Sequence, residues 1–196
     1  MKLSKRFYVG SMVAGPVVGV VLFGLAFIMT MAGIGAGAGQ GSHSPGDVGV
    51  VFGAGLGVLA FLSLGLGAIY SIVVYYVLLY KAWTSIQDGH ARTTPAAAVG
   101  LMLVPMFNLY WQFQAIWGFA VDYNKYVSRH RLGVAPLPEG LFLAANILVL
   151  GMIIPFLNFL VAFVLIGIHL VVVAKICDGV NAIAGKVAAI PAPVAG

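Results

Sequence analysis

Long apolar runs separated by short polar stretches are the main pattern in this chain. The first run covers residues 8–32 and the second covers residues 50–80. Both reach the roughly 20 apolar residues that an α-helix needs to cross the hydrocarbon core of a bilayer. Between them lie residues 33–49, a Gly-rich stretch without lysine or arginine. Because loops poor in basic residues face outside, the pattern predicts two transmembrane helices joined by an external loop.

Two later apolar segments, residues 95–126 and residues 141–174, are each interrupted in the middle. Proline and asparagine stand at the same spacing in both, as Pro105 and Asn108 and as Pro155 and Asn158. Proline removes a backbone donor and clashes with the preceding turn, and asparagine favours turns and caps. We therefore predict a helix break in each segment, with the asparagines capping the helices that follow.

Basic residues lie on both sides of residues 95–126, with Lys81 and Arg92 before the segment and Lys125 within its last turn. A segment that crossed the membrane once would leave one basic loop outside, against the usual charge rule. We therefore favour re-entrant hairpins that enter and leave from the cytoplasmic side. The predicted fold is an all-α integral membrane protein with two transmembrane helices and two broken hairpins; a simple four-span bundle is the alternative.

The two breaks belong to a short internal repeat. Residues 102–108 match residues 152–158 at an offset of 50 residues, with Met, Pro and Asn identical. Broken helices in corresponding positions of two halves are typical of transport sites. They are also a simple way to build a compact bundle. The two breaks, together with Asn146, are therefore candidates to line a polar cavity.

His169 is the one histidine that lies inside an apolar run. It is the only candidate ligand for a haem or pigment metal, although a polar contact inside the bundle is the favoured interpretation. If the second hairpin turns at residues 155–158, Asn146 lies opposite residues near Gly167. We therefore expect a hydrogen bond between the Asn146 and His169 side chains across the two arms.

Glycines recur at four-residue spacing in the first two apolar runs. Gly15 and Gly19 lie on one helix, and Gly49, Gly53 and Gly57 lie on the other. Residues four apart share a helix face, and small residues there let another backbone approach closely. We predict that the first helix packs tightly on the second.

The three tryptophans, Trp83, Trp111 and Trp117, lie close together in the sequence among several tyrosines. This is typical of an aromatic belt at one membrane face, and it predicts an interfacial helix after the first break. The polar residues of that helix fall on one side of a helical wheel: Asn108, Gln112, Asp122, Lys125 and Arg129.

Composition excludes an ordinary soluble domain. Apolar residues make up 62% of the chain and charged residues 8%, against roughly 45–50% and about 25% in soluble proteins. The net charge is +5, but the basic residues flank apolar runs and do not form the clustered patch of a nucleic-acid surface. The expected partners are the lipid bilayer and other membrane proteins, or further copies of this chain.

No catalytic pattern stands out. The carboxylates all lie at segment ends or in loops: Asp47, Asp88, Asp122, Glu139 and Asp178. A proton-coupled pump would place one inside the membrane. The single cysteine, Cys177, forms no CxxC pair. We expect no catalytic residues, no metal site and no cofactor, and hence no enzyme.

A motif within residues 80–126 adds a resemblance. Its elements are Trp83, Arg92, Thr94-Pro95, Val104-Pro105 and Asn108-Leu109. In this order they resemble a family of bacterial multi-pass membrane proteins to which no activity is assigned. The resemblance implies a helix broken at Pro105 and a bacterial inner membrane, with both termini cytoplasmic on the charge pattern, but it implies no activity.

Three functions remain open from the sequence. The favoured hypothesis is a structural or accessory subunit of a larger membrane assembly, based on the glycine faces and the scarcity of functional polar groups. The second is a small channel or transporter with its site at the two Pro-x-x-Asn breaks. The third is a haem- or pigment-binding subunit that uses His169.

Overall fold

The computed structural model describes residues 2–37, 45–155 and 158–188, and all regular structure in them is helical. The helices are α1 (Lys5–Gly37), α2 (Pro45–Thr84), α3 (Pro95–Gly100), α4 (Pro105–Gln112), α5 (Gly118–Arg129), α6 (Glu139–Gly151) and α7 (Asn158–Ala188). Among the described residues, three segments are long and apolar enough to cross a bilayer: Lys5–Ala32, Gly53–Thr84 and Leu160–Ala188. The chain is therefore all-helical, with three long apolar helices that are compatible with an integral membrane location.

The third long helix, α7, differs from the prediction. The sequence places the end of this arm at Ala174, but the helix continues through Lys175 and Asp178 for 31 residues in total. The continuation is amphipathic, because one face is buried while Lys175 and Asp178 are exposed on the other. The buried face consists of Ile176, Cys177, Val180 and Ile183. Because these buried residues follow helical spacing, the helix continues beyond Ala174, where the continuous apolar run ends.

The first predicted helix break is present, but it begins at Val104, one residue before Pro105. Thr94 caps α3 as expected, with its hydroxyl accepting a hydrogen bond of 3.2 Å from the Ala97 N–H. A short 3₁₀ turn, Leu101–Leu103, follows, and Val104 is extended at φ −87° and ψ 107°. The residue before a proline avoids the α region, so the break falls at Val104 and Pro105 opens α4.

Asn108 lies inside α4 and does not cap it, which corrects the prediction. Its backbone N–H donates a helical hydrogen bond of 2.8 Å to the Val104 carbonyl. Pro105 occupies the first helical position, where its fixed φ suits the helix. The N-cap residue is therefore Val104, directly before it. The helix that follows is longer than predicted, since a π-helical turn, Phe113–Trp117, joins α4 directly to α5.

The second predicted break is also present. Helix α6 ends at Gly151, and the N–H groups of Met152, Ile153 and Ile154 donate to carbonyls three residues earlier at 3.1–3.2 Å. Pro155 follows in a turn, and α7 begins at Asn158. The side chain of Asn158 lies outside the described part, so its predicted capping role stays a prediction.

Two compact units divide the chain. The smaller is Gly10–Val74, and the larger combines Met1–Val9 with Tyr75–Gly196. In the larger unit, the core is formed by fully buried side chains from the end of α2, from α5 and α6, and from the second half of α7. The largest of these are Trp83, Phe119, Tyr123 and Phe142.

Within the smaller unit, α1 and α2 pack antiparallel. Ser11 lies 3.3 Å from the Tyr70 hydroxyl, Gly19 faces Leu64, and Gly53 faces Thr30. Residue numbers therefore fall along one helix as they rise along the other. A Cβ on Gly53 would lie 2.7 Å from the Thr30 nitrogen, and one on Gly19 would lie 3.2 Å from the Leu64 Cα.

Gly19 and Gly53 thus lie close to α1–α2 neighbours, whereas the Cβ position of Gly57 has nothing within 4 Å. Gly57 lies one turn from Gly53, but the small difference in angle directs it past α1. The surroundings of Gly15 and Gly49 lie outside the described part.

We predict that Gly53→Ala destabilises the protein, while Gly57→Ala on the same helix has little effect. The added methyl of Gly53→Ala meets backbone atoms of Thr30, which cannot move aside as a flexible side chain can. Overpacking of this kind costs about 1–3 kcal/mol. Thermal unfolding of the two variants in the same detergent compares them directly; equal melting temperatures would contradict the α1–α2 contact.

Candidate functional site

A bidentate ion pair between Arg92 and Asp122 is the main polar contact of the larger unit. The Arg92 Nε and Nη2 donate to Asp122 Oδ1 at 3.1 and 2.9 Å. The backbone N–H of Arg92 donates to Oδ2 at 2.8 Å. The Asp122 side chain is only 8% exposed, and Arg92 is 28% exposed. The pair fixes the loop between α2 and α3 against α5.

The surroundings of Arg92 show why the pair fits. A Cβ on Gly118 would lie 2.8 Å from Arg92 Nη1, so a larger residue there would require the guanidinium to shift. Gly118 and Asp122 are one helical turn apart, which places both under the same arginine. Gln114 accepts from Nη1 at 3.2 Å. The sequence pattern placed Asp122 on the polar face of an interfacial helix but did not identify Arg92 as its partner. The one-turn spacing of Gly118 and Asp122 was the only local feature that pointed to such a contact.

Asp88 is at the centre of a second cluster of polar side chains. It accepts hydrogen bonds from the guanidinium of Arg129 and from the backbone N–H of His90 at 3.0 Å, and it lies 3.0 Å from His130 Nε2. Burial acts to raise the pKa of the Asp88 carboxyl. The hydrogen bonds from His90, His130 and Arg129, with the Arg129 charge, outweigh burial and hold that pKa below its usual range.

The tryptophans only partly match their predicted interfacial role. Trp83 is fully buried, its Nε1 donates to the Ala115 carbonyl at 2.9 Å, and its ring lies edge-on to Phe119. Trp83 thus packs within the protein core, where the bonded indole N–H makes burial of its ring favourable. Trp111 and Trp117 are half-buried. Trp111 donates to the Ala98 carbonyl at 3.1 Å, which brings α4 back against α3.

Three more side chains join segments that are distant in sequence. Tyr123 donates to the Gly179 carbonyl on α7 at 3.1 Å, and burial raises the pKa of Tyr123 to about 12. Asn181 exchanges two hydrogen bonds with the backbone of Leu3, at 2.6 and 2.8 Å. Asn124 does the same with Leu137, at 2.7 and 2.9 Å. These contacts bring the start of the chain and the end of α7 together.

The residues predicted to line a polar cavity do not meet as expected. The Asn146 amide nitrogen donates to the Phe142 carbonyl on its own helix at 2.7 Å. Its oxygen is buried without a hydrogen-bond partner among the described atoms, so the predicted bond to His169 is wrong. An asparagine can bond back to the carbonyl four residues earlier, and that local contact replaces the one across the arms. The His169 ring packs on Tyr75, with centroids 4.6 Å apart.

The side chains around both breaks are exposed and apolar. Pro105 and Pro155 are exposed, and so are Leu103, Met106 and Ile153 beside them. Asn108 differs, because its side-chain oxygen is buried and unpartnered within the described part. The breaks thus present apolar surface of the kind that lipid covers, and at the first break the Asn108 amide oxygen lies behind it.

The polar centre leaves little room for a substrate. Asp88, His90, Asp122, Lys125 and Arg129 border a cavity of about 10 Å³, which is space for about one water molecule. No group of three His, Cys, Asp or Glu side chains in the described part could hold a metal ion. Chemically, the arrangement pairs charges and satisfies backbone groups, and its evident effect is to join loops and helices.

Comparison of the chain with protein-family models, with curated proteins and with solved structures finds no match.

We predict that Arg92→Ala costs about 1–3 kcal/mol, because it removes the side-chain donors of the largely buried Asp122 carboxylate and leaves only the backbone N–H bond. Arg92→Lys should recover only part of this loss, since an ammonium cannot make both bonds of the guanidinium. Adding Asp122→Asn to Arg92→Ala should restore stability in part. Chemical unfolding in detergent measures the cycle, with the exposed Arg131→Ala as control. Strictly additive losses would contradict a direct pair.

We predict that the stability due to Asp88 depends on pH. Its pKa is lowered in the folded protein, so the ionised carboxylate stabilises the fold above its ordinary pKa of 3.8. That stabilisation is lost as the pH falls from 3.8 through the lower folded value. The melting temperature of Asp88→Asn should therefore lie below that of the unaltered protein at pH 7, and the gap should close under strong acid. A gap independent of pH would show that ionisation is irrelevant.

Proposed function

We propose that this protein is a small structural or accessory subunit of a larger membrane assembly. The observation that carries the proposal is the use made of its polar side chains. Arg92, Asp122, Tyr123, Asn124 and Asn181 all bond to distant parts of the same chain. The cavity bordered by Asp88 and Asp122 holds only about 10 Å³, so these polar groups serve contacts within the protein. Polar side chains used in this way hold the chain in one fixed shape. A fixed shape supports a role in binding a partner protein.

The outer surface of α1 and α2 supports a helical partner. Gly10 and Gly24 on α1 and Gly55, Gly57 and Gly65 on α2 have open space where a Cβ would lie. Exposed glycines on transmembrane helices let another helix backbone approach closely. The partner we propose is therefore a transmembrane helix of another membrane protein; a second copy of this chain is the other source.

For the topology we propose two spanning helices, α1 and α2, and two broken hairpins on the cytoplasmic side of a bacterial inner membrane. The bonds between Leu3 and Asn181 and the ion pair of 2.8 Å between Lys5 and Asp178 support placing both ends of the chain on one side. The family resemblance in residues 80–126 supports the bacterial assignment. Helix α7 is long enough to span, so a four-span bundle is the alternative; it also keeps the ends together.

The second candidate function is a small channel or transporter at the two breaks. The buried, unpartnered amide oxygens of Asn108 and Asn146 favour it, because water or a polar solute would satisfy them. The exposed apolar side chains beside the breaks, such as Leu103 and Met106, favour lipid contact instead. A haem or pigment on His169 is the third candidate, and a visible absorption band in the purified protein would reveal it.

We predict that mild detergent extracts the protein from native membranes as a particle with companion proteins in fixed ratio. Gly57→Leu should release the companions without lowering the thermal stability of the isolated protein, because the added side chain points into open space. Size-exclusion chromatography with mass spectrometry measures both. A lone monomer or homo-oligomer would overturn the accessory role and favour the transporter.

A further inference from the structure

One face of α5 carries two polar side chains, Lys125 and Ser128, that take part in none of the hydrogen bonds and ion pairs described above. Val121, Asn124, Lys125 and Ser128 follow the spacing i, i+3, i+4, i+7, which places them on one side of a helix. Together with Arg129 and Glu139 they line an open groove of about 570 Å³. We call these six residues the α5 groove. It belongs wholly to the larger unit.

The charge balance of the larger unit leaves cations in excess. Each described carboxylate already accepts from a nitrogen donor: Asp88 from Arg129, Asp122 from Arg92, Glu139 from Asn124 and Asp178 from Lys5. Three of the ten lysines and arginines take part in these ion pairs. The others have no carboxylate partner within the described part: Lys2, Arg6, Lys81, Lys125, Arg131, Lys175 and Lys186.

Lys125 is the cation of this surplus that lies in the α5 groove. It is exposed and has no carboxylate partner within the described part, whereas Arg129 beside it is paired with Asp88. Glu139 is the one carboxylate of the groove, and its Oε1 accepts from Asn124 at 2.9 Å. The lining residues therefore include two cations and one carboxylate, and Lys125 is the cation without an ion-pair partner in the described part, with the Ser128 hydroxyl as a neighbouring hydrogen-bond donor.

The position of the groove relative to the nearest long apolar segment indicates which kind of anion it binds. Tyr126, the residue after Lys125, borders a surface pocket with Thr84 and Ser85. Thr84 is the last residue of the apolar segment Gly53–Thr84. The middle of α5 thus lies where an apolar, membrane-length segment ends, which is the depth of lipid headgroups. The anions most abundant at that depth are the phosphates of anionic lipids.

We propose that the α5 groove binds the headgroup of an anionic phospholipid, with Lys125 and Arg129 facing its phosphate and Ser128 donating a hydrogen bond to it. A free phosphate would meet the same donors but would lack the acyl chains that hold a lipid beside the groove. The inference does not depend on the proposed accessory role, because a monomer or a transporter would present the same surface.

The test uses the full-length protein in a zwitterionic detergent, titrated with phosphatidylglycerol, with phosphatidylcholine or with inorganic phosphate. Native mass spectrometry counts bound lipids, and the melting temperature reports their effect on stability. We expect phosphatidylglycerol to bind and to stabilise, and the other two to do neither. Equal effects of the two lipids, or an equal effect of inorganic phosphate, would overturn the proposal.

The variants localise the site. Lys125→Met keeps much of the apolar stem but removes the charge, and it should weaken phosphatidylglycerol binding about fivefold. Lys125→Arg should bind as well as the unaltered protein. Lys175→Met, at an exposed lysine of α7 outside the groove, is the matched control and should bind normally. If Lys125→Met and Lys175→Met bind alike, the lipid contacts the general basic surface and the groove has no special role.

Discussion

A chain with only 8% charged residues has few means of holding polar loops against apolar helices. The pair between Arg92 and Asp122 does this with one guanidinium, one carboxylate and a backbone N–H. Its low exposure strengthens the attraction and also makes either partner costly to leave alone. Gly118 is part of the same constraint, since the arginine lies where any side chain would be. The loop after α2 and the position of α5 both depend on this contact.

Neutral hydrogen bonds extend the arrangement across the larger unit. Trp83 donates to a carbonyl in the π-helical turn, and Tyr123 donates to the Gly179 carbonyl on α7. Asn124 and Asn181 each pair with a backbone N–H and C=O in the manner of a peptide group. Such bonds satisfy backbone groups that have no helical partner, and they need no charge. This is an economical solution for a protein whose surroundings are mostly apolar.

Local signals predicted the local features of the fold. Thr94-Pro95 specified a helix start, and each Pro-x-x-Asn specified a break, because capping and proline geometry involve only neighbouring residues. The burial of Trp83 and the partner of Asp122 could not be predicted in this way. Each depends on a segment tens of residues away. The continuation of α7 beyond Ala174 was readable in principle, from the apolar spacing of residues 176–183.

The side-chain oxygens of Asn108 and Asn146 are buried without a hydrogen-bond partner in the described part of the chain. A buried amide oxygen without a partner costs about 1–3 kcal/mol, which folding has to offset elsewhere. In a structural subunit, the donor that satisfies such an atom comes from a partner helix; in a transporter, it comes from water or solute. Because Pro105 and Leu103 beside the first break are exposed and apolar, the surface there suits a lipid or a helix better than water. Both oxygens are enclosed by the protein's own atoms, so it is the exposed apolar surface, and not these oxygens, that supports the accessory role.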